Sequence, residues 1–493
     1  TCEQKGKAMR RSIILGLAIL FSALFAIPSS PAMELSPGVK GFVSIDEPVV
    51  ALIHARVIDG TGAAAVEDQT LIIRGGNIVA LGPSTKTRPP AGSKVIDLSG
   101  KTVIPGLVGM HDHLFYPLAS SDRGPAILAL YGDMGFSFPR LYLAAGVTSL
   151  RTTGSIAPYT DLELKRRIDA GELVGPKLHL TGPYLEGTGA YTPVMHQLSG
   201  PEDARRMVDY WAGEGMTSFK AYMHITRAEL SAAIAAAHAK GLKVTGHLCS
   251  IGFKEAAQLG IDNLEHGLLV DTEFDPGKKD DVCPPQKDTA EALTKLDVDG
   301  PRMTSLIKDL IEHHVAVTST LPVFETFVAN RPPLEQRVLS ALAPSARIDY
   351  LTVRTRIAER KENPYAVLLA KEMEFEHAFV KAGGLLLAGE DPTGYGGVLA
   401  GFGDQREVEL LVEAGFTPIQ AIHIATANGA RFLGVENEVG TIAAGNKADL
   451  VVIDGNPAKN IDAIEKVETV FKDGVGYDSA KLIASVAGSV GIH

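Results

Sequence analysis

The sequence predicts an α/β protein, a (β/α)8 TIM-like barrel with a small β-sandwich domain built from both chain ends. Between residues 106 and 433, about eight short apolar segments alternate with helical patterns. Strands that alternate with helices indicate parallel βα units, and this number of units favours a barrel. On either side of this region, short apolar runs are broken by glycine-containing turns, which is typical of a small β-domain.

The domain boundaries follow these changes of pattern along the 493 residues. We expect a signal peptide over residues 1–32 and the first part of the β-sandwich over residues 45–105. The barrel is expected over residues 106–433, and the second part of the β-sandwich over residues 434–480. Candidate barrel strands lie at 103–110, 146–150, 177–180, 218–222, 242–246, 263–265, 315–318 and 384–388.

The first 32 residues have the organisation of an export signal. Basic side chains precede an apolar stretch over residues 13–27, which is too short to span a bilayer comfortably. Ser30-Pro31-Ala32 then supplies the small residues of a cleavage site. We therefore expect an exported protein, periplasmic or secreted, without stable membrane insertion once the signal is removed. An uncleaved N-terminal anchor is the alternative.

The composition limits the choice of partner. Asp and Glu number 58 against 47 Lys and Arg, so the net charge is −11. This acidic balance argues against nucleic acid as the main partner. Three cysteines do not form a disulfide framework, and Cys249 and Cys283 could pair or stay reduced.

The most informative motif is His111-Asp112-His113, which directly follows a predicted buried strand. In an extended backbone, residues i and i+2 point to the same side of the strand. Both imidazoles can therefore reach one metal ion. Imidazole is a common ligand for divalent first-row metals.

Further ligand-type side chains occur at the ends of later predicted strands. They are Lys220, His247, His266 and Asp391. Barrel enzymes place their catalytic groups at the carboxyl ends of the strands. With His111 and His113, four histidines, one lysine and one aspartate therefore fall at this edge in order around the ring.

These motifs resemble those of the amidohydrolase superfamily over nearly all of the chain after the signal. The similar strings are Pro105-Gly106-Leu107, His111-Asp112-His113, Phe219-Lys220, Gly246-His247, Glu265-His266-Gly267, Asp391 and Lys447-Ala448-Asp449-Leu450. The sequence looks most like the branch of imidazolonepropionase-like proteins and metal-dependent Xaa-Pro dipeptidases. One departure is Glu390, which stands where threonine is common in the family.

The resemblance implies a site for two divalent metal ions, usually Zn2+. On the family pattern, His111 and His113 bind one ion with Asp391, and His247 and His266 bind the other. Lys220 would be carboxylated by CO2, and its carbamate would bridge the ions. The ions would generate a bridging hydroxide, and Asp391 would act as general base and then general acid.

Three further residues are candidates for binding the substrate. Tyr222 shares the face of Lys220 and could hydrogen-bond a carbonyl or carboxylate oxygen, or it could pack on the barrel rim. Arg151 could pair with a substrate carboxylate or form a structural ion pair. His196 lies after the third predicted strand, where related dipeptidases carry a carboxylate-contacting histidine, although its loop lacks a close match to their motif.

We interpret the chain as a metal-dependent hydrolase of C–N bonds in small molecules such as dipeptides or N-acyl amino acids. One alternative is a cyclic-amide or lactam hydrolase of the imidazolonepropionase type, against which the export signal counts. Another is a non-catalytic metal-binding protein on the same scaffold, against which all six ligand positions count. The resemblance also suggests a homo-oligomer.

Overall fold

The computed structural model describes residues 34–117, 131–190, 194–392 and 396–491. The predicted signal peptide at residues 1–32 lies outside this range. Within it, no helix is both long enough and apolar enough to cross a membrane.

The described chain starts with one short helix and six β-strands. These are α1 (Pro37–Lys40), β1 (Val43–Ile45), β2 (Val49–Val57), β3 (Val66–Arg74), β4 (Asn77–Pro83), β5 (Lys94–Asp97) and β6 (Thr102–Pro105). Strands β3 and β4 form a hairpin around Gly75 and Gly76, whose φ angles are 56° and 81°. A tight hairpin turn of this kind requires positive φ at both central residues, which glycine adopts at little cost.

The central region contributes ten strands. They are β7 (Leu107–Asp112), β8 (Phe115–Pro117), β9 (Tyr131–Asp133), β10 (Val147–Thr152), β11 (Lys177–His179), β12 (Ser218–Ala221), β13 (Lys243–Gly246), β14 (Asn263–Glu265), β15 (Ala316–Ser319) and β16 (Leu386–Ala388). Strands β8 and β9 form a two-stranded antiparallel sheet. The other eight form two parallel sheets, β11-β10-β7 and β12-β13-β14-β15-β16.

Contacts at both edges connect these two parallel sheets. On one side, parallel bridges join Thr181 to Ser218 and Leu185 to Ala221. On the other side, the Asp391 N–H, just after β16, donates to the His111 carbonyl in β7 at 2.8 Å. The carboxyl ends of the eight strands therefore lie along one edge.

Helices follow most of the parallel strands and cover them. Up to β16 they are α2 (Phe138–Ala144), α3 (Pro158–Asp169), α4 (Pro201–Gly213), α5 (Arg227–His238), α6 (Phe253–Leu259), α7 (Gln286–Thr294), α8 (Pro301–Glu312), α9 (Leu321–Glu325), α10 (Gln336–Ala341), α11 (Pro344–Glu359) and α12 (Tyr365–Lys381). Helix α5 illustrates how the local sequence favours helix formation. Thr226 and Glu229 form a capping box at its start, and its alanine-rich sequence favours helix.

The last described elements return the chain to the first sheet. They are α13 (Phe402–Glu413), α14 (Pro418–His423), α15 (Gly429–Leu433), β17 (Leu450–Ile453), β18 (Val467–Lys472), β19 (Val475–Asp478) and α16 (Ser479–Ala484). The resulting nine-stranded sheet has the order β1-β19-β18-β17-β6-β2-β3-β4, with β5 beside β2. The α/β class predicted from the sequence is confirmed.

Ion pairs attach this nine-stranded sheet to the parallel strands. The ammonium group of Lys177, in β11, lies 2.7 Å from Asp449 and 2.8 Å from Asp473. Asp449 is buried, so this interaction is sheltered from solvent. It fixes the sheet close to the strands that carry the candidate site.

Cys249 and Cys283 form a disulfide across a sequence separation of 34 residues. The sequence had left their pairing open. The bridge connects the segment just after β13 to the long connection before α7. It therefore secures the chain next to His247.

We predict that the disulfide stabilises the fold, because closing a loop of this length lowers the conformational entropy of the unfolded chain. This raises the free energy of unfolding by about 3–4 kcal/mol. A reducing agent should lower the unfolding temperature measured by calorimetry. The double variant Cys249→Ser/Cys283→Ser should unfold at a lower temperature and be insensitive to the reductant. Equal unfolding temperatures for the oxidised wild type and the variant would contradict the prediction.

Candidate metal centre

The ligand-type side chains predicted from the sequence come from the carboxyl ends of five parallel strands. His111 and His113 lie at the end of β7, and Lys220 lies in β12. His247 directly follows β13, His266 directly follows β14, and Asp391 comes three residues after β16. All are buried or nearly so, and the ordering of the strands brings them to one place.

Asp391 is at the centre of this group. One of its carboxylate oxygens lies 3.5 Å from His113 Nε2, and the other lies 3.8 Å from His111 Nε2 and 3.9 Å from His266 Nε2. Potential ligand atoms of His111, His113 and Asp391 lie within 4.8 Å of one another. Two imidazoles and a carboxylate at this spacing can hold one metal ion.

The second pair of histidines adjoins the first. The ring centroid of His266 is 4.3 Å from that of His111 and 4.4 Å from that of His247. Lys220 Nζ lies 3.2 Å from His111 Nε2. The four histidines, the lysine and the aspartate therefore form one continuous cluster.

Two members of the cluster have strained backbones. His266 has a φ angle of 71° and Asp391 has a φ angle of 49°. Residues other than glycine adopt this left-handed region only at a cost, and such strain concentrates at functional sites. Hydrogen bonds hold both residues in place. The His266 N–H donates to the Thr318 carbonyl at 2.9 Å, and the Asp391 N–H donates to His111.

Burial keeps the four imidazoles neutral. It lowers the pKa of His111 to about 4 and that of His247 to about 3, and Lys220 nearby adds to the effect. The pKa of His266 and that of His113 are lowered for the same reason. A neutral imidazole offers the lone pair that a metal ion needs, so the cluster is suited to bind cations.

Asp391 and Lys220 respond to the same environment in different ways. Burial alone would raise the pKa of Asp391, but the surrounding histidines hold it well below its usual range. Burial lowers the pKa of Lys220 to about 8. The aspartate is therefore a ready anionic ligand, and the lysine amine is partly neutral under mildly alkaline conditions.

Glu265 is a functional residue that the sequence reasoning missed, although its motif was noted. It is fully buried, and its carboxylate accepts a hydrogen bond of 2.8 Å from His111 Nδ1. Because a carboxylate can only accept, the His111 Nδ1 carries the proton and Nε2 is left as the potential ligand atom. The available signal was that Glu265 is the last residue of the predicted strand that leads directly to His266.

Arg151 lies beneath the cluster in a structural ion pair. It is fully buried, and its guanidinium donates to the other oxygen of Glu265 at 2.8 Å and to the Met110 carbonyl. These contacts form a buried ion pair, which is the structural alternative considered for Arg151. Its charge holds the pKa of Glu265 well below the usual range, against the raising effect of burial.

The other two substrate-binding candidates occupy different surroundings. Tyr222 packs its ring 5.0 Å from that of His247 and 4.8 Å from that of Tyr184, so it adjoins the cluster. His196 is about half exposed, and its Nε2 lies 3.0 Å from Asp203 near the start of α4. The structure thus brings Tyr222 to the cluster and gives His196 a partner elsewhere.

Tyr142 fixes the position of His113 and was also missed. Its buried hydroxyl donates to the His113 carbonyl at 2.9 Å and accepts from the His113 N–H at 3.2 Å. Glu390, the departure from the family pattern, accepts a hydrogen bond from the Asp404 N–H at 3.0 Å.

Comparison with known proteins reveals related sequences and structures. The model of the amidohydrolase family matches residues 382–476. A 5-methylthioadenosine/S-adenosylhomocysteine deaminase from Moorella thermoacetica is 60% identical over 35 residues, which cover 7% of this chain and 8% of that protein. An imidazolonepropionase from Salmonella schwarzengrund is 41% identical over 51 residues, which cover 10% and 12%.

The likeness to solved structures extends over most of the chain. A Xaa-Pro dipeptidase with methionine bound in its active site superposes with a TM-score of 0.64 at 20% identity. The match covers 87% of this chain and 100% of that one, which shows a shared fold. The resemblance to the amidohydrolase family that the sequence predicted is confirmed.

We predict that Glu265→Gln weakens metal binding by about 10–100-fold, because the partner that orients a metal-ligating histidine contributes about this much. The measurement is metal content and affinity of the folded variant. Glu47→Gln, the same change at an exposed glutamate before β2, is the matched control and should bind metal like wild type. Equal metal affinity in Glu265→Gln and wild type would refute the orienting role of Glu265.

Proposed function

We propose that this chain, which resembles the amidohydrolase family in sequence and fold, is a metal-dependent hydrolase of C–N bonds in small molecules. The comparisons support a metal-dependent enzyme that acts on such bonds. The observation that carries the proposal is the buried cluster of neutral imidazoles around the carboxylate of Asp391. The preferred substrates on this proposal are amides such as dipeptides or N-acyl amino acids.

The residues of the cluster fit two divalent metal ions. Imidazole nitrogens with one carboxylate are the donors that Zn2+ prefers, and the Nε2 atoms of His111, His113 and His266 face the carboxylate of Asp391. In the proposed arrangement, His111, His113 and Asp391 would hold one ion, and His247 and His266 would hold the other. When bound, the ions would lower the pKa of a water molecule and polarise the scissile carbonyl.

Lys220 would complete the site as a carbamate. Its amine lies beside His111 at the centre of the cluster, where an ammonium would repel divalent cations. The neutral amine that its lowered pKa makes available is the form that reacts with CO2. The product would be an anionic carbamate, whose oxygens would be ligands for divalent cations.

Asp391 would move the proton during hydrolysis. Its carboxylate faces three of the histidines and is held in the charged form, so it can accept a proton from the attacking water. The same group would then deliver this proton to the leaving amine. Tyr222, next to His247, would hydrogen-bond an oxygen of the substrate.

We also infer the architecture around this site. The two parallel sheets would close into one eight-stranded barrel through the contacts at their edges, over residues 106–433. The strands at residues 45–105 and 434–480 would form the accessory β-sandwich domain. The Cys249–Cys283 disulfide favours an oxidising compartment, which supports export to the periplasm or the medium.

The first test is metal analysis of the purified protein together with a substrate panel of Xaa-Pro dipeptides, N-acyl amino acids and cyclic imides. We expect about two metal ions per chain, and chelation should abolish a turnover that Zn2+ with bicarbonate restores. Turnover of the cyclic compounds alone would favour the cyclic-amide alternative. Absence of both metal and turnover after supplying Zn2+ and bicarbonate would refute the proposal that the chain is a metal-dependent hydrolase.

We predict that Asp391→Asn lowers kcat by at least about 100-fold, because the variant loses the group that accepts and returns the proton. The measurement is steady-state kinetics on the best substrate of the panel. The matched control is Asp46→Asn, an exposed aspartate before β2, which should retain wild-type kinetics. Undiminished turnover in Asp391→Asn would show that another group is the base.

A further inference from the structure

A second group of buried carboxyls lies behind the histidine cluster. It consists of Asp112 at the end of β7, Glu390 after β16 and Asp404 in the first turn of α13. We call these three residues the acidic triad. Asp112 and Glu390 are fully buried, and Asp404 is 6% exposed. One carboxylate oxygen from each residue lies within 4.8 Å of the other two.

The alternation of side chains along a strand separates the acidic triad from the histidine cluster. His111 and His113 point to one side of β7, so Asp112 between them points to the other side. Glu390 likewise precedes Asp391 and bonds to the N–H of Asp404 instead. The acidic triad therefore faces α13, and the histidine cluster faces the strand ends.

The hydrogen bonds of the acidic triad are incomplete. Neither oxygen of Asp112 accepts a hydrogen bond of ordinary geometry among the described residues, although the Glu390 N–H lies near enough to favour its charge. The Glu390 side chain also interacts with the Tyr142 hydroxyl and the Asp404 carboxyl, and these contacts leave one oxygen of Glu390 and one of Asp404 without a partner of ordinary geometry there. A buried carboxylate without a partner is costly, so unsatisfied oxygens that converge on one point indicate a missing ligand.

Arg151 forms its ion pair outside the acidic triad, and two glycines make room for the side chains of the acidic triad. Arg151 acts on Asp112 from a distance, but its guanidinium donates to Glu265. A Cβ atom on Gly109 would overlap the Asp112 carboxylate, and one on Gly403 would overlap the Glu390 carboxylate. Glycine at both positions leaves space for the two acidic side chains to converge.

We propose that the acidic triad binds one hard cation such as Ca2+, separate from the ions of the histidine cluster. Its donors are all oxygens, which suit Ca2+, Mg2+ or Mn2+ better than Zn2+. Oxygens that each lie about 2.3–2.6 Å from a Ca2+ ion are at most about 5 Å apart, which agrees with the observed spacing. The bound ion would position His111, His113 and Asp391 through the peptide bonds that join them to Asp112 and Glu390.

The test measures cation binding directly, so it does not depend on the proposed hydrolase activity. The full chain is stripped with a chelator and loaded with Zn2+ until the histidine cluster is filled. Ca2+, Mg2+ and Mn2+ are then titrated separately by calorimetry, and metal content is determined after dialysis. We expect one additional hard cation per chain and a higher unfolding temperature when it is bound.

Asp404→Asn should weaken binding of the additional cation at least 10-fold and leave the Zn2+ content unchanged. Glu376→Gln is the matched control, because Glu376 is another fully buried carboxyl outside the acidic triad, and this variant should bind the cation like wild type. If Asp404→Asn does not fold, Glu390→Gln and the wild-type stoichiometry decide. No additional cation in the wild type would overturn the proposal and indicate that the carboxyls hold protons instead.

Discussion

The hydrogen bond from His111 to Glu265 is the interaction on which the candidate metal centre depends most. It spans two strands that are far apart in sequence, and it sets which nitrogen of His111 faces the other side chains of the cluster. Glu265 can remain charged in the interior because Arg151 neutralises it from below. The site is thus built from the core outward, with a buried ion pair that supports a histidine, which in turn faces Asp391.

Close approach of the backbone is the second constraint on the site. A Cβ atom on Gly389 would overlap the backbone of His111, so only glycine lets the end of β16 come this near to β7. The neighbouring Asp391 then takes a left-handed conformation and donates its N–H to the His111 carbonyl. A small residue and a strained residue together place the carboxylate among the imidazoles, at a cost that the surrounding hydrogen bonds offset.

The cluster was accessible from sequence because strand ends in parallel sheets converge, so the ligand-type side chains at the ends of five apolar runs could be assigned to one edge. The alternation of strands and helices likewise revealed the α/β class. The pairing of Arg151 with Glu265 was harder to foresee, since it joins residues 114 positions apart by side-chain packing. The partner of His196 and the convergence of Asp112, Glu390 and Asp404 depended on helix placement, which carries no local sequence signal.

The nine-stranded sheet imposes an order on how this chain can fold as it is made. Strand β6 pairs with β17 as well as with β2, and β1 pairs with β19, so the pairs with β17 and β19 form only after residues 450–478 have been synthesised. Until then, β6 has an open edge while the segment that carries the histidines is already complete. The nine-stranded sheet is therefore complete only when β17 and β19 have paired with strands from the first part of the chain.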